Sequence, residues 1–412
     1  MEEPAFGSLL IVVAVAFAAP FLLGLLPRVR LPSVVFEIVA GIVIGPSVLG
    51  WVEVDDTISV LALLGLAMLL FLAGLEIDFT RLRGRLLKLA LVGWAISFAI
   101  AFGGSLLLAA VDLVETPLLV AIILCATSLG VIIPVLKDVG ELESKFGQLI
   151  LAAASIADFG AVILLSFFFS GEGGPGSTAV LLAVFVGLLA VTFLVVRSAE
   201  RSRKVGEDLL RLQDSSAQIR VRAAMLLMVA FVALAEALGL EVILGAFAAG
   251  ALLALLDQDR RMTHANFRTK LEAIGFGLFI PVFFVTSGVR FDLSALLDEP
   301  SNLAMVPIFL AALVAVRGLP AITYRGFVGR RRAAIAGVLQ ATSLPFIVAA
   351  TAIGQQLELM GAAEASALIA AGLLSVLIFP ITGLNMLKRA MEEEGARRPE
   401  PSRPEPSPHL AM

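Results

Sequence analysis

Apolar stretches of about 20 residues, the length that crosses about 30 Å of hydrocarbon at 1.5 Å per residue, recur along the whole chain. Thirteen can be read, at 7–26, 33–50, 58–75, 88–110, 117–137, 146–169, 178–197, 220–238, 240–256, 270–288, 302–324, 332–354 and 363–387. With 59% hydrophobic residues, 16% charged residues and a mean hydropathy of +1.00, no soluble domain of 412 residues could hide this chain from water. The expectation is an all-α polytopic membrane protein with thirteen transmembrane helices. The first stretch follows Met-Glu-Glu-Pro, an acidic start unlike a removable signal peptide, so it is expected to stay as a helix.

Charge then orients the bundle. The loops after odd-numbered stretches are basic: Arg28 and Arg30, Arg81 to Lys88, Lys137 and Lys145, the run from Arg197 to Arg222, Arg260 to Lys270, and Arg325 to Arg332. Those after even-numbered stretches are acidic, and Arg290 is their one cation. By the positive-inside rule the N-terminus is expected outside and the C-terminus in the cytoplasm of a cell membrane protein. The polar tail 388–412 is expected to be disordered and cytoplasmic. A net charge of −4 gives no reason to invoke nucleic acid. The single cysteine, Cys125, excludes an internal disulfide and reads as a small core residue. Both histidines, His264 and His409, lie outside the spans, so proton chemistry in the membrane falls to carboxylates.

One carboxylate sits deep. Asp158 lies near the middle of stretch 146–169, where a charge costs at least about 2.5–3.5 kcal/mol and marks a functional site by default. A structural Asp that ties neighbouring helices together is the plainer alternative.

Three segments recur in order. Phe36-Glu37-Ile38-Val39-Ala40-Gly41 matches Leu240-Glu241-Val242-Ile243-Leu244-Gly245; Ala73-Gly74-Leu75-Glu76 with Ile77-Asp78-Phe79 matches Ser287-Gly288-Val289-Arg290 with Phe291-Asp292-Leu293; Ala126-Thr127-Ser128-Leu129 recurs as Ala341-Thr342-Ser343-Leu344. The matches pair stretches 2, 3 and 5 with 9, 10 and 12. A shift of seven reverses direction through the membrane, which gives an inverted-topology repeat with a substrate site at the repeat interface. Pro345 frees the carbonyl of Ala341 and Pro134 that of Gly130, so both helices are expected to break near 127–130 and 341–345 and to cross beside Asp158. Ser and Thr acting as helix glue, with Pro as a simple kink, is the bland reading.

Arg317, inside stretch 302–324, is expected either to compensate buried negative charge or to snorkel. Glu37, Glu76, Glu236 and Glu241 lie near span ends, where solvated or capping roles are at least as natural as transport. Gly41 and Gly45, mirrored by Gly245 and Ala249, read as close-packing faces.

The segments LPSVVFEIVAGIVIGPSVLG, LLFLAGLEIDF, ATSLGVIIPVLKD, LAEALGLEVILGAFAAGALLA and FFVTSGVRFDL resemble the membrane domain of the monovalent cation:proton antiporter superfamily, in particular its second branch. The likeness covers about residues 7–387. It implies thirteen helices with two crossing unwound helices (the sodium/proton antiporter fold), a homodimer, and elevator-like alternating access. The domains expected from it are scaffold helices in 1–87 and 220–301, a core transport domain in 88–177 and 302–387, and a linker helix with a basic loop in 178–219. Carried over by residue, Asp158 matches the essential ion- and proton-binding aspartate. Thr127 and Ser128 fall on the first broken helix, Thr342 and Ser343 on the second, and Arg317 on the basic position of the neighbouring helix. Ala157 departs from the family, whose members carry an acid, Asn or Gln there. No soluble nucleotide-sensing domain of the potassium efflux type is expected.

Chemically, Asp158 is expected to hold either a proton or a monovalent cation, with hydroxyls of Thr127, Ser128 and Ser155 as further ligands. The function expected is therefore exchange of Na⁺ or K⁺ for H⁺, one for one, by a transporter and not an enzyme, with no cofactor. A cation channel or potassium-type efflux system is the alternative. An organic-anion symporter would need more polar cavity, and intramembrane hydrolysis would need two facing acids.

Overall fold

A computed structural model describes residues 6–25, 32–79, 82–169, 174–200, 218–256 and 265–396. Arg28, Arg30, Arg81, Glu172, most of the Arg197–Arg222 run, Arg260, Arg261, His264 and the tail beyond 396 lie outside the described residues. The chain begins with α1 (Phe6–Leu25), α2 (Ser33–Ile44), α3 (Asp56–Leu75) and α4 (Gly84–Ala109). Then follow α5 (Pro117–Leu124), α6 (Leu129–Asp138), α7 (Lys145–Phe169), α8 (Gly174–Glu200), α9 (Ile219–Ala237) and α10 (Val242–Leu256). The remainder is α11 (Ala265–Ile274), α12 (Ile280–Val289), α13 (Leu293–Leu297), α14 (Pro300–Gly318), α15 (Arg325–Val328), α16 (Arg330–Gln340), α17 (Pro345–Gln356) and α18 (Ala362–Ala396). No strand occurs among the described residues.

All thirteen apolar stretches are helical over much of their length, and among the described residues nine helical spans are long and apolar enough to cross a membrane, or ten with α16 and α17 taken together. α2 and α10, of 12 and 15 residues, are shorter than a span requires. α2 stops at Ile44 rather than 50 because extended Gly45 and then Pro46 end it. In the other direction, α18 continues to Ala396, so the segment expected to be disordered from 388 is helical for more than two turns. The stretch 270–288 carries a π-helical turn, Gly275–Phe279, before α12. Pro281, at the start of α12, has no N–H for the Gly277 carbonyl, and the backbone register slips there.

Both expected breaks are present, at Cys125–Ser128 between α5 and α6 and at Ala341–Leu344 between α16 and α17. The second bends its helices by 42°. The proline assignments need correction. Pro134 sits within α6, past the break, and Pro345 occupies the first turn of α17, where a missing N–H costs nothing. The breaks follow the twin Ala-Thr-Ser-Leu segments instead.

The most extensive pairings are α3 with α10 and α2 with α12, so the first helix of each set of matching segments lies against the second helix of the other. Glycine permits this: a Cβ on Gly41 would run into the Val285 carbonyl, one on Gly74 into that of Phe247, and one on Gly250 into that of Phe71. Gly45 likewise faces Val289, whereas Gly245 faces Phe231 of α9. A second group of helices, α4 to α7 with α14 and α16 to α18, carries both breaks and Asp158.

Candidate functional site

α7 presents Ala152, Ala153, Ala154, Ser155 and Ala157 as a fully buried run of small side chains just before Asp158. Small residues there let other helices approach closely. Break meets break directly: Ser128 N donates to the Thr342 carbonyl at 2.8 Å. Thr127 N donates to Asp158 Oδ1 at 3.2 Å, and the Thr127 hydroxyl donates to the Gln340 carbonyl at 2.9 Å. An amide freed by the unwinding of one helix is thus turned onto the buried acid, in an interior where such groups must find a partner. Ser375 of α18 braces the second break. Ser343 N donates to its Oγ at 3.1 Å, and the same hydroxyl lies 2.9 Å from the Ser343 carbonyl.

Asp158 faces a cavity of ≈ 640 Å³, together with Thr127, Ser128, Ser343, Glu37 and Glu76. The cavity reaches the end of the bundle where α2 starts and α3 finishes, and Phe276 to Leu278 of the π turn form part of its wall. A second cavity of ≈ 790 Å³ lies along the same helices toward the opposite end. On α3 the walls change over between Leu66 and Leu69, on α17 between Phe346 and Val348. Less than about one helical turn of apolar side chains therefore separates the two cavities.

The expected site residues divide. Asp158, Thr127, Ser128, Ser343 and Pro345 line the first cavity, while Thr342 is buried in the break behind it. Ser155, one turn before Asp158, is buried but forms no part of the cavity wall, and Pro134 is also away from it. Arg317 does not snorkel. It is 3% exposed, and its guanidinium donates to Gln340 Oε1 at 3.1 Å and Ser97 Oγ at 3.3 Å. Gln340 escaped the sequence reading, although a glutamine directly before Ala-Thr-Ser-Leu in an apolar stretch was a visible signal. Its side chain holds Arg317 and its carbonyl holds Thr127, so it joins the buried cation to the first break. Among the described residues, Arg317 Nε, Thr342 Oγ1 and Ser343 Oγ are buried without a partner. Such atoms collected at a crossing of unwound helices are available oxygen ligands and donors.

Residues 13–389 match the family described as sodium/hydrogen exchanger, transmembrane. The chain belongs to this family. It is 32% identical over 409 residues to a putative Na⁺/H⁺ antiporter of Bacillus subtilis, a match that covers 96% of this chain and 65% of that protein. A probable Na⁺/H⁺ antiporter of Methanocaldococcus jannaschii is 29% identical, with 90% of this chain and 94% of that one covered. The Na⁺/H⁺-K⁺ antiporter GerN of Bacillus cereus is 31% identical over 64% of this chain. Among solved structures, the sodium proton antiporter MjNhaP1 of Methanocaldococcus jannaschii superposes with a TM-score of 0.65 at 18% identity, covering 93% of this chain and 98% of that chain, which shows a shared fold.

Proposed function

We propose that this protein is a secondary active antiporter that exchanges Na⁺ or K⁺ for H⁺ across a cell membrane, one for one. The observation that carries the reading is Asp158 Oδ1 receiving the Thr127 amide where the two breaks touch, on the wall of a cavity that reaches only one end of the bundle. An ionised carboxylate there is costly unless neutralised, so proton and cation compete for it. If only the neutralised site moves past the apolar partition, the two flows are coupled. Thr127, Ser128 and Ser343 are the ligands we assign beside Asp158, and Thr342, Ser155, Pro345, Pro134 and Arg317 shape and support the site. The names of the relatives support Na⁺ as the cation, and that of GerN brings K⁺ into the same reading.

The grouping of the helices supports a scaffold (1–87 and 220–301) and a moving core (88–177 and 302–387), with homodimerisation through the scaffold. On this reading the N-terminus lies outside and the Asp158 cavity opens at the cytoplasmic end. The test is purified protein in proteoliposomes with an imposed pH gradient and an internal pH dye. Saturable alkalinisation or acidification on adding Na⁺ or K⁺ supports exchange, and flux that neither saturates nor moves protons favours a channel.

A further inference from the structure

The two cavities carry different charge. Among the described residues, Glu37, Glu76 and Asp158 are the ionisable ones of the first, and Glu236, Glu241 and Arg290 those of the second. The repeat explains which residues face each other across the partition. Glu37 matches Glu241, and each reaches the cavity at its own end; Glu76 matches Arg290, again one per cavity, but with the sign reversed. The position is a positive charge on one side, and on the other a carboxylate that Arg268 meets at 3.3 Å. Arg290 is the one cation in all the even-numbered loops, it is exposed at the mouth of its cavity, and its guanidinium is held by Ser59 Oγ of α3 at 2.8 Å. That tether keeps the charge over the entrance. The second cavity also holds Thr286, 1% exposed, whose Oγ1 has no partner, so its wall has ligand oxygen to offer a hydrated cation as well as carboxylates.

We infer that the second cavity is the opposite vestibule of the exchanger and that Arg290 is the charge that sets capture there, lowering the local cation concentration so that cations enter from that side more weakly than they would without it. This inference rests on the exchange reading. A charge at a low-dielectric mouth focuses its field into the cleft, so it acts on capture rather than on chemistry at Asp158. Removing a unit charge about 10 Å from the path changes local cation concentration by about threefold in a medium between water and protein, and reversing it by up to about tenfold. The effect fades as the Debye length shrinks to about 8 Å at 0.15 M salt.

The test uses right-side-out and everted membrane vesicles, in which the apparent KM for Na⁺ and K⁺ is measured from each side at low and at physiological ionic strength. Arg290→Gln lowers KM about threefold and Arg290→Glu up to tenfold on the second side alone at low salt, Arg290→Lys leaves it as in the wild type, and Ser59→Ala, which removes the tether but not the charge, shifts it less than Arg290→Gln. Equal shifts on both sides, no shift, or a Ser59→Ala effect as large as that of Arg290→Gln would overturn the inference while leaving exchange intact. Wild-type vesicles that pass no cation against protons overturn the exchange reading, and this inference with it.

Discussion

Asp158 and Gln340 do different work at one crossing, and substitution separates them. Asp158→Asn keeps the volume and an acceptor for the Thr127 amide but cannot alternate between proton and cation. It is expected to abolish exchange while the protein still purifies as a folded membrane assembly by size-exclusion chromatography. Cation-driven proton movement near the wild-type rate in that variant would make Asp158 structural. Gln340→Leu removes the acceptor that Arg317 reaches at 3.1 Å and leaves a fully buried guanidinium with Ser97 as its remaining described partner. Losing a hydrogen bond to a buried charge costs about 1.5–3 kcal/mol. The expected result is a clear fall in Tm in detergent, with Gln340→Glu, which keeps an acceptor, close to wild type. Equal Tm values for Gln340→Leu and wild type would show that water replaces the amide.

At the level of elements, the crossed pairings of α2 with α12 and α3 with α10 depend on glycine. Gly41→Val is expected to push α2 off Val285 and Gly288 and to cost about 1–3 kcal/mol, as overpacking in a filled interior does. Gly103→Val, on an open face of α4 with nothing within 4 Å of the added Cβ, is the control. Thermal unfolding of the two variants side by side decides it, and equal Tm values would mean that α2 is free to shift. The breaks themselves belong to this scale. Four residues separate α5 from α6; the Ser128 amide is met by the other break, the Thr127 amide by Asp158 and the Thr127 hydroxyl by the Gln340 carbonyl. Neither broken helix is satisfied alone, so each needs the other.

For the whole molecule the question is how much charge one cycle carries. Ala157 cannot titrate, and Arg317 keeps its proton as guanidinium does in proteins. Asp158 is thus the one carboxylate at the crossing, and the cycle is expected to be electroneutral. Initial rates in proteoliposomes with the membrane potential clamped at several values by an ionophore pair should coincide. Rates that rise steeply with potential would require a second carried charge, and Glu76 and Glu37, on the wall of the same cavity, would be the first residues to substitute.

The all-helical bundle was legible in the sequence because the hydrocarbon length and the demand that backbone polar groups be satisfied in lipid leave a chain of long apolar stretches little choice. Asp158 was legible for the same reason, since a lone central carboxylate has to be explained. The twin Ala-Thr-Ser-Leu segments marked where the helices unwind, although the prolines read as the cause proved to lie beyond the breaks. Local pattern could not say more, because what surrounds Asp158 comes from residues far apart in the chain. Its Thr127 amide, the Thr342 carbonyl that holds Ser128, and Gln340 between Arg317 and Thr127 were settled by packing alone. So was the division of Glu76 and Arg290 between two cavities: a side chain's distance along a helix is written in the sequence, but which void it faces depends on the helices packed against it.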